Sequence, residues 1–347
     1  MSKIHVYTSF NFHYLAKARV LASTLKRQHP DWVMHACLVD REPEGFSFDL
    51  SKEPFDAVTW ADDLDIPSLQ GWLFGHGVVE LCTAVKGTML RMLLEQGAEK
   101  VIYLDPDIAV LDSLQPIADA LDVHDVVITP HQLTPDDHYP AILDNELCSS
   151  QYGIYNLGFV AVANRGDGLK FTDWWEKRLL GWCHDNVPGG VFVDQKWCDH
   201  VPALFGNVLV LRDPGCNVAS WNLSQRRISV DAQGRILSNG EPLRFYHFTK
   251  LGPIGDVMTQ RYARDNTEVY ELWCWYRHQV QGFIDKRIPK AWWAYGRYAN
   301  GDTIAPEHRK LFRSRLDLKR HFVDPFGHDD DCGFLRWLEL QTQSQAA

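Results

Sequence analysis

The chain of 347 residues is 45% hydrophobic and 23% charged and carries a formal net charge of −10, so it can bury a sizeable core and is not a disordered polymer. Its acidity excludes a general nucleic-acid binder, because neutralising phosphates takes a concentrated excess of Lys and Arg. Eight scattered cysteines, none spaced Cys-x-x-Cys, read as reduced thiols of a cytoplasmic protein, and no apolar run has the length of a membrane span or the form of a secretory leader.

Lys3 to Ser9 alternates toward a buried strand, and Leu15, Ala18, Val20, Leu21 and Leu25 give residues 14–28 helical spacing up to the stop at His29-Pro30-Asp31. Strands are expected at 33–39 and 55–58, then a helix over 84–96 that carries Lys86 and Arg91 among Ala, Val, Met and Leu. The run Lys100 to Leu104 predicts a further strand, followed by strands at 125–129 and 158–163 and a helix over 171–183. This alternation predicts an α/β fold of Rossmann type, a mainly parallel sheet with helices on both faces and ligands at the carboxyl ends of the strands.

The chemistry concentrates at Asp105-Pro106-Asp107, set between the apolar runs 101–104 and 108–111. Two carboxylates at i and i+2 past a buried strand converge when a proline fixes the turn, and hard oxygens suit Mg²⁺ or Mn²⁺. By itself Asp-x-Asp also fits an ordinary strand-ending turn. His247, in Arg244-Phe-Tyr-His-Phe-Thr-Lys250, is a candidate third ligand, and an imidazole would favour Mn²⁺. Asn156 and Gln195 can orient hydroxyls, Asp194 can hold a hydroxyl or take its proton, and Lys250 can neutralise a phosphate. Several of the thirteen Trp residues could pack on pyranose faces.

Taken in order, Arg91 on its helix, Tyr-Leu-Asp-Pro-Asp at 103–107, Tyr-Asn-Leu-Gly-Phe at 155–159, Asp-Gln at 194–195 and His-Phe at 247–248 resemble the glycosyltransferases of GT-A fold, and among them the family-8-like retaining enzymes of bacterial surface-polysaccharide synthesis. The resemblance covers roughly residues 1–280. It implies a Mn²⁺ (or Mg²⁺) site of Asp105, Asp107 and His247, and donor contacts from Thr8, Asn11, Lys86, Arg91, Asp105, Asn156 and Lys250. Asp194 and Gln195 would act at the transferred sugar. The implied partners are a nucleotide-diphosphate sugar, a UDP-sugar before others, and a glycan or lipid-linked acceptor, with retention of anomeric configuration favoured. Thr8-Ser9-Phe10-Asn11 lacks the acidic pair common in that family, and Thr-Lys-Leu-Gly-Pro follows His247 in place of Gly-x-x-Lys-Pro-Trp. A non-catalytic carbohydrate- or nucleotide-binding module of the same fold is the alternative.

Past residue 280 the composition changes, which divides the chain into a 1–280 catalytic domain and a 281–347 basic, aromatic and helical extension. Residues 286–320 hold ten Lys and Arg against three acids, a local balance of +7. Beside Trp292 and Trp293, these charges predict either peripheral contact with the inner face of a membrane or neutralisation of the acidic body within the fold.

Overall fold

The computed structural model describes residues 4–327 and 333–346. Strands β1 (Ile4–Phe10), β2 (Val33–Leu38), β3 (Ala57–Trp60), β4 (Lys100–Leu104), β6 (Val126–Pro130), β7 (Tyr155–Ala163) and the strand Val208–Val210 form one seven-stranded sheet; β5 (Ile108–Val110) lies outside it. From one edge the order is 208–210, β6, β7, β4, β1, β2, β3. All neighbours are parallel except β7, which runs antiparallel to both β4 and β6.

The pleat divides the core. Along β4, Val101 and Tyr103 face the helices Val78–Glu95 and Gly166–Trp182, while Ile102 and Leu104 face the helices Leu15–Gln28 and Gln115–Val123. Alternate side chains of a strand point to opposite faces, so a strand covered on both sides reads as a continuous apolar run. On the first face the two long helices touch at Gly87, where a Cβ would stand 2.6 Å from the Cα of Glu176. Hydrogen bonds from Tyr7 Oη to the Lys86 carbonyl (2.9 Å) and from Ser9 Oγ to the Cys82 carbonyl (2.6 Å) fix the 78–95 helix over β1.

The reversal of β7 follows from the connection before it. β6 ends at Pro130 on the carboxyl edge, and the helical segment between Tyr139 and Tyr152 stays there, so β7 sets out from that edge. Its first residues, 155–158, therefore lie beside the carboxyl end of β4, and the Asp105 N–H donates to the Gly158 carbonyl at 2.8 Å.

Beyond β7 the chain adds the strand Phe245–His247, paired antiparallel with β5, and the helices Pro253–Ala263 and Thr267–Gly282 on a third apolar cluster. The basic extension then folds back over the carboxyl ends of β1 and β2. Asn11 Nδ2 donates to the Trp292 carbonyl at 3.0 Å, and the Ala294 N–H donates to Asp40 at 2.7 Å. Arg309 is buried and donates to the carbonyls of Phe74, His76 and Tyr295.

Arg313 likewise pairs with Glu80 of the body, whereas Arg287 and Arg315 make exposed local pairs with Asp285 and Asp317. Trp292 and Trp293 are half-buried and pack against the two main clusters. Among the described residues no helix is long and apolar enough to cross a membrane. Seven cysteines are free, and Cys332 lies outside the described residues.

Burial and the neighbouring His5 push the imidazole of His35 down to about 4. Its folded state therefore refuses a proton that the unfolded chain accepts below 6.5, and stability is lost as pH falls from 6.5 toward 4. Replacing His35 by Gln should flatten this slope by about 1.4 kcal/mol per pH unit in urea denaturation between pH 6.5 and 4. An unchanged slope would show that His35 is protonated in the fold.

Candidate metal centre

Asp105-Pro106-Asp107 turns the chain out of β4 and into β5, closed by the Ile108 N–H donating to the Asp105 carbonyl at 3.0 Å. His247 reaches this turn because the 245–247 strand pairs with β5 in the register His247 to Ile108, and the Phe248 N–H donates to the Asp107 carbonyl at 2.8 Å. Imidazole Nε2 stands 3.0 Å from Asp107 Oδ1 and 3.7 Å from Asp105 Oδ2. One donor atom from each of the three residues falls within 4.8 Å of the others. Gly158 makes room: a Cβ there would lie 2.6 Å from His247 Cε1. Trp221 packs its edge against the imidazole, ring centroids 5.2 Å apart.

Two carboxylates and one imidazole nitrogen within that span fit a divalent cation of oxygen-and-nitrogen preference. The electrostatics agree with the fit. Burial acts to raise Asp107, but His247 and Lys17 outweigh it and hold the carboxyl below its ordinary range. Burial acts to lower His247, and the two aspartates reverse this and raise it. A metal would take the place of the proton that the pair now favours. Asp105 also accepts from Tyr103 Oη at 2.6 Å.

Lys86 lies nearby, expected on sequence grounds to meet the donor. Its side chain is 2% exposed, and its ammonium donates to Asp194 Oδ2 at 2.8 Å, the Leu157 carbonyl at 3.0 Å and Asp105 Oδ1 at 3.3 Å. Burial works against its charge, and the two carboxylates overcome it and raise its pKa. Asp194 follows Val193, whose φ of 38° is rare for a β-branched residue; the turn sends the carboxylate inward to Lys86. Burial raises Asp194, and Lys86 partly offsets that rise.

Gln195 sits beside this pair. Its Oε1 accepts from the Leu157 N–H at 3.3 Å and from Asn156 Nδ2 at 3.4 Å, and its Nε2 donates to the Tyr152 carbonyl at 3.0 Å. Asn156 is held in turn by Asn217 Nδ2, which donates to its Oδ1 at 3.0 Å, and by His131 Nε2 at 3.1 Å. The structure thus gathers Lys86, Asp105, Asp107, Asn156, Asp194, Gln195 and His247 at the carboxyl edge.

Other expected donor residues are placed differently. Arg91 is five residues along the helix from Lys86, roughly 7.5 Å at 1.5 Å per residue, and its guanidinium is engaged by Glu176 (2.7 Å) and Glu95 (3.1 Å). Thr8 is buried at the end of β1 and Asn11 is tied to Trp292. Lys250 is exposed beyond the 245–247 strand, at a positive φ of 54°. Sequence reasoning missed Lys17, Tyr14 and His131; Asn217 stands out in the sequence as the start of Asn-Val-Ala-Ser-Trp-Asn at 217–222, but without a role. Lys17 and Tyr14 had a signal, three residues apart at the start of a helix that follows β1, Tyr14 at its N-cap and Lys17 in its first turn.

No family model matches the chain. It is 31% identical over 180 residues to the uncharacterized protein YfnF of Bacillus subtilis (strain 168), an alignment of 49% of this chain and 56% of that one. To YfnD of the same strain, also uncharacterized, it is 22% identical over 255 residues, 72% of this chain and 78% of the relative. The chain thus spans just over half the length of the first relative. The crystal structure of galactosyltransferase LgtC in complex with donor and acceptor sugar analogues is similar with a TM-score of 0.48 and 17% identity, over 83% of this chain and 98% of that one.

Removing one partner of a buried ion pair leaves the other charge uncompensated, at a cost of about 3–5 kcal/mol. Lys86→Met should therefore destabilise the protein by about that amount in urea denaturation. A loss below about 1 kcal/mol would be the value of an exposed pair and would contradict the geometry.

Proposed function

We propose that this protein is a metal-dependent glycosyltransferase that moves a sugar from a nucleotide-diphosphate sugar, a UDP-sugar before others, to a glycan or lipid-linked acceptor with retention of configuration. The convergence of Asp105, Asp107 and His247 at the carboxyl edge of the sheet, beside Asn156, Asp194 and Gln195, carries this reading. Mn²⁺ bound there would act as a Lewis acid on the departing diphosphate.

The chain's own residues do the remaining work. Gln195, held by Leu157, Asn156 and Tyr152, presents a fixed amide dipole where positive charge develops at the anomeric carbon. Asn156, fixed by Asn217 and His131, keeps that amide in register. Asp194 is buried and bound to an ammonium, which makes it a poor base for an acceptor hydroxyl. This favours retention over an inverting displacement that needs such a base. Lys86 links Asp194 to Asp105, so the sugar end and the diphosphate end of the site share one support.

Asp105→Asn and Asp107→Asn keep side-chain volume and remove a ligand charge. Each should weaken Mn²⁺-assisted binding of a nucleoside diphosphate by about 100-fold or more, beyond the 10–100-fold of an outer-shell loss, in a protein that remains folded by circular dichroism. Calorimetry showing wild-type Mn²⁺-assisted affinity in both variants would remove the assignment.

A further inference from the structure

A cavity of about 430 Å³ opens between the turn at 223–227, the loop at 136–138 and residues 262–266 at and beyond the end of the Pro253–Ala263 helix. None of the residues gathered at the metal cluster lines it. Its volume is more than ten times the share of one water molecule, roughly 30 Å³, and falls in the range of small-molecule sites.

The side chain that sets its chemistry is Arg226. It is 3% exposed and donates through Nη1 to the carbonyls of Pro214 (3.1 Å) and Cys216 (2.5 Å), while its Nε has no partner among the described residues. No carboxylate there pairs with it: Asp213, whose charge it feels, is bound by Arg244 at 2.9 Å. A buried cation held by carbonyls alone lacks the counter-charge that would offset its desolvation. An anion in the cavity that Arg226 lines supplies it.

The rest of the lining sets the size of that charge. Arg227 and Arg264 are exposed, and Arg264 stands at a positive φ of 48°, rare for a residue with a β-carbon. Asp265 pairs with Arg227 at 3.3 Å, and Asp136 accepts from Ser224 Oγ at 2.7 Å. Three arginines thus face two carboxylates, with His138 formally neutral, which leaves one net positive charge. That balance matches one carboxylate and falls short of a phosphate monoester, which carries about −1.5 to −2. The volume also exceeds what a bare anion fills, and the hydroxyl, amide and carboxylate groups around it suit sugar hydroxyls.

The same stretches of chain connect the cavity to the metal cluster. Trp221, packed against the His247 imidazole, lies five residues before Arg226, a chain distance of at most about 18 Å. Its carbonyl accepts from Gln132 Nε2 at 2.9 Å, and Gln225 Oε1 accepts from the Leu133 N–H at 3.0 Å. The loop after β6 therefore serves both places, through His131 at Asn156 and Asp136 in the cavity.

We propose that this cavity is a subsite for a sugar bearing one carboxylate, with the buried Arg226 as its counter-charge and the exposed Arg227 and Arg264 assisting. The role of that sugar rests on the glycosyltransferase reading, on which it is a unit of the acceptor, so that the acceptor is an acidic glycan. The subsite itself is defined by charge and size, and its test uses methyl glucuronide, methyl glucoside and inorganic phosphate with neither donor nor metal.

Saturation-transfer NMR titrations of the full chain at low salt should show the glucuronide binding about tenfold or more tightly than the glucoside, the worth of a charge-assisted contact. Arg226→Lys keeps the charge but loses the planar set of donors, and should weaken the glucuronide about tenfold. Arg264→Ala, at an exposed side chain, should weaken it about threefold, and less as salt is added. Asp265→Asn, also exposed, should strengthen it about threefold, because a like charge is gone and Arg227 is released; a merely structural pair of Arg227 and Asp265 gives no such gain. Equal affinity for glucuronide and glucoside overturns the proposal, as does a glucuronide affinity unchanged in both Arg264→Ala and Asp265→Asn. Inorganic phosphate bound more tightly than the glucuronide, with the same response to the variants, overturns it in favour of a phosphate site. A glucuronide held here by a protein that binds no nucleotide sugar upholds the subsite and refutes the glycosyltransferase reading instead.

Discussion

An ammonium with almost no access to water, that of Lys86, joins three separate stretches of chain: the end of β4 through Asp105, the start of β7 through the Leu157 carbonyl, and the 193–195 turn through Asp194. Taking a lysine out of water costs several kcal/mol, recovered only when the partners are close and its three protons are all accepted. Both conditions hold. Because the attraction weakens with any separation of those segments, the same contact that stabilises the core also fixes the spacing between the metal cluster and Gln195. Tyr103 and Tyr7 surround it with buried rings and hydroxyls, Lys86 Nζ lying 4.1 Å from the Tyr103 ring centroid, so water has little room to loosen the arrangement.

A second constraint is topological. A single antiparallel strand in an otherwise parallel sheet brings the amino end of β7 to the edge where its neighbours end. That places Asn156 and Gly158 next to Asp105, and the small ladder between β5 and residues 245–247 brings in His247 from the far end of the sequence. Backbone pairing thus sets where these side chains can meet. Loss of a carboxylate at the cluster also costs stability, through Lys86 for Asp105 and through His247 for Asp107.

How much of this was legible in the sequence depended on how local the cause was. The strands β2, β4 and β6 were readable because a strand buried on both faces is mostly apolar, and β1 because Ile4, Val6 and Tyr7 stand out beside His5, Thr8 and Ser9. Asp105 and Asp107 were readable because the turn that joins them lies within three residues. Lys86 was found, but its role was not, since a lysine among Ala and Val looks the same whether it faces a ligand or a carboxylate 108 residues away. Arg91 carried a stronger expectation, yet its helix face is set by Glu176 on a neighbouring helix. The charge of the extension was visible as composition, while Glu80, which pairs with Arg313, and Asp40, which accepts from the Ala294 N–H, were not visible as its partners. Lys17 was passed over because one cation on an amphipathic helix has an ordinary solvated reading, and only the fold brings it to Asp107, 90 residues away.

The central claim is that Asp105, Asp107 and His247 hold one divalent cation at the end of β4. Diffraction at the manganese absorption edge from crystals grown with Mn²⁺ and a nucleoside diphosphate tests it directly. The account predicts one strong anomalous peak within about 2.0–2.3 Å of a donor atom from each of the three residues, with phosphate oxygens on its open side. A peak held by other residues, or none at this cluster in crystals that contain the bound nucleotide, would contradict it.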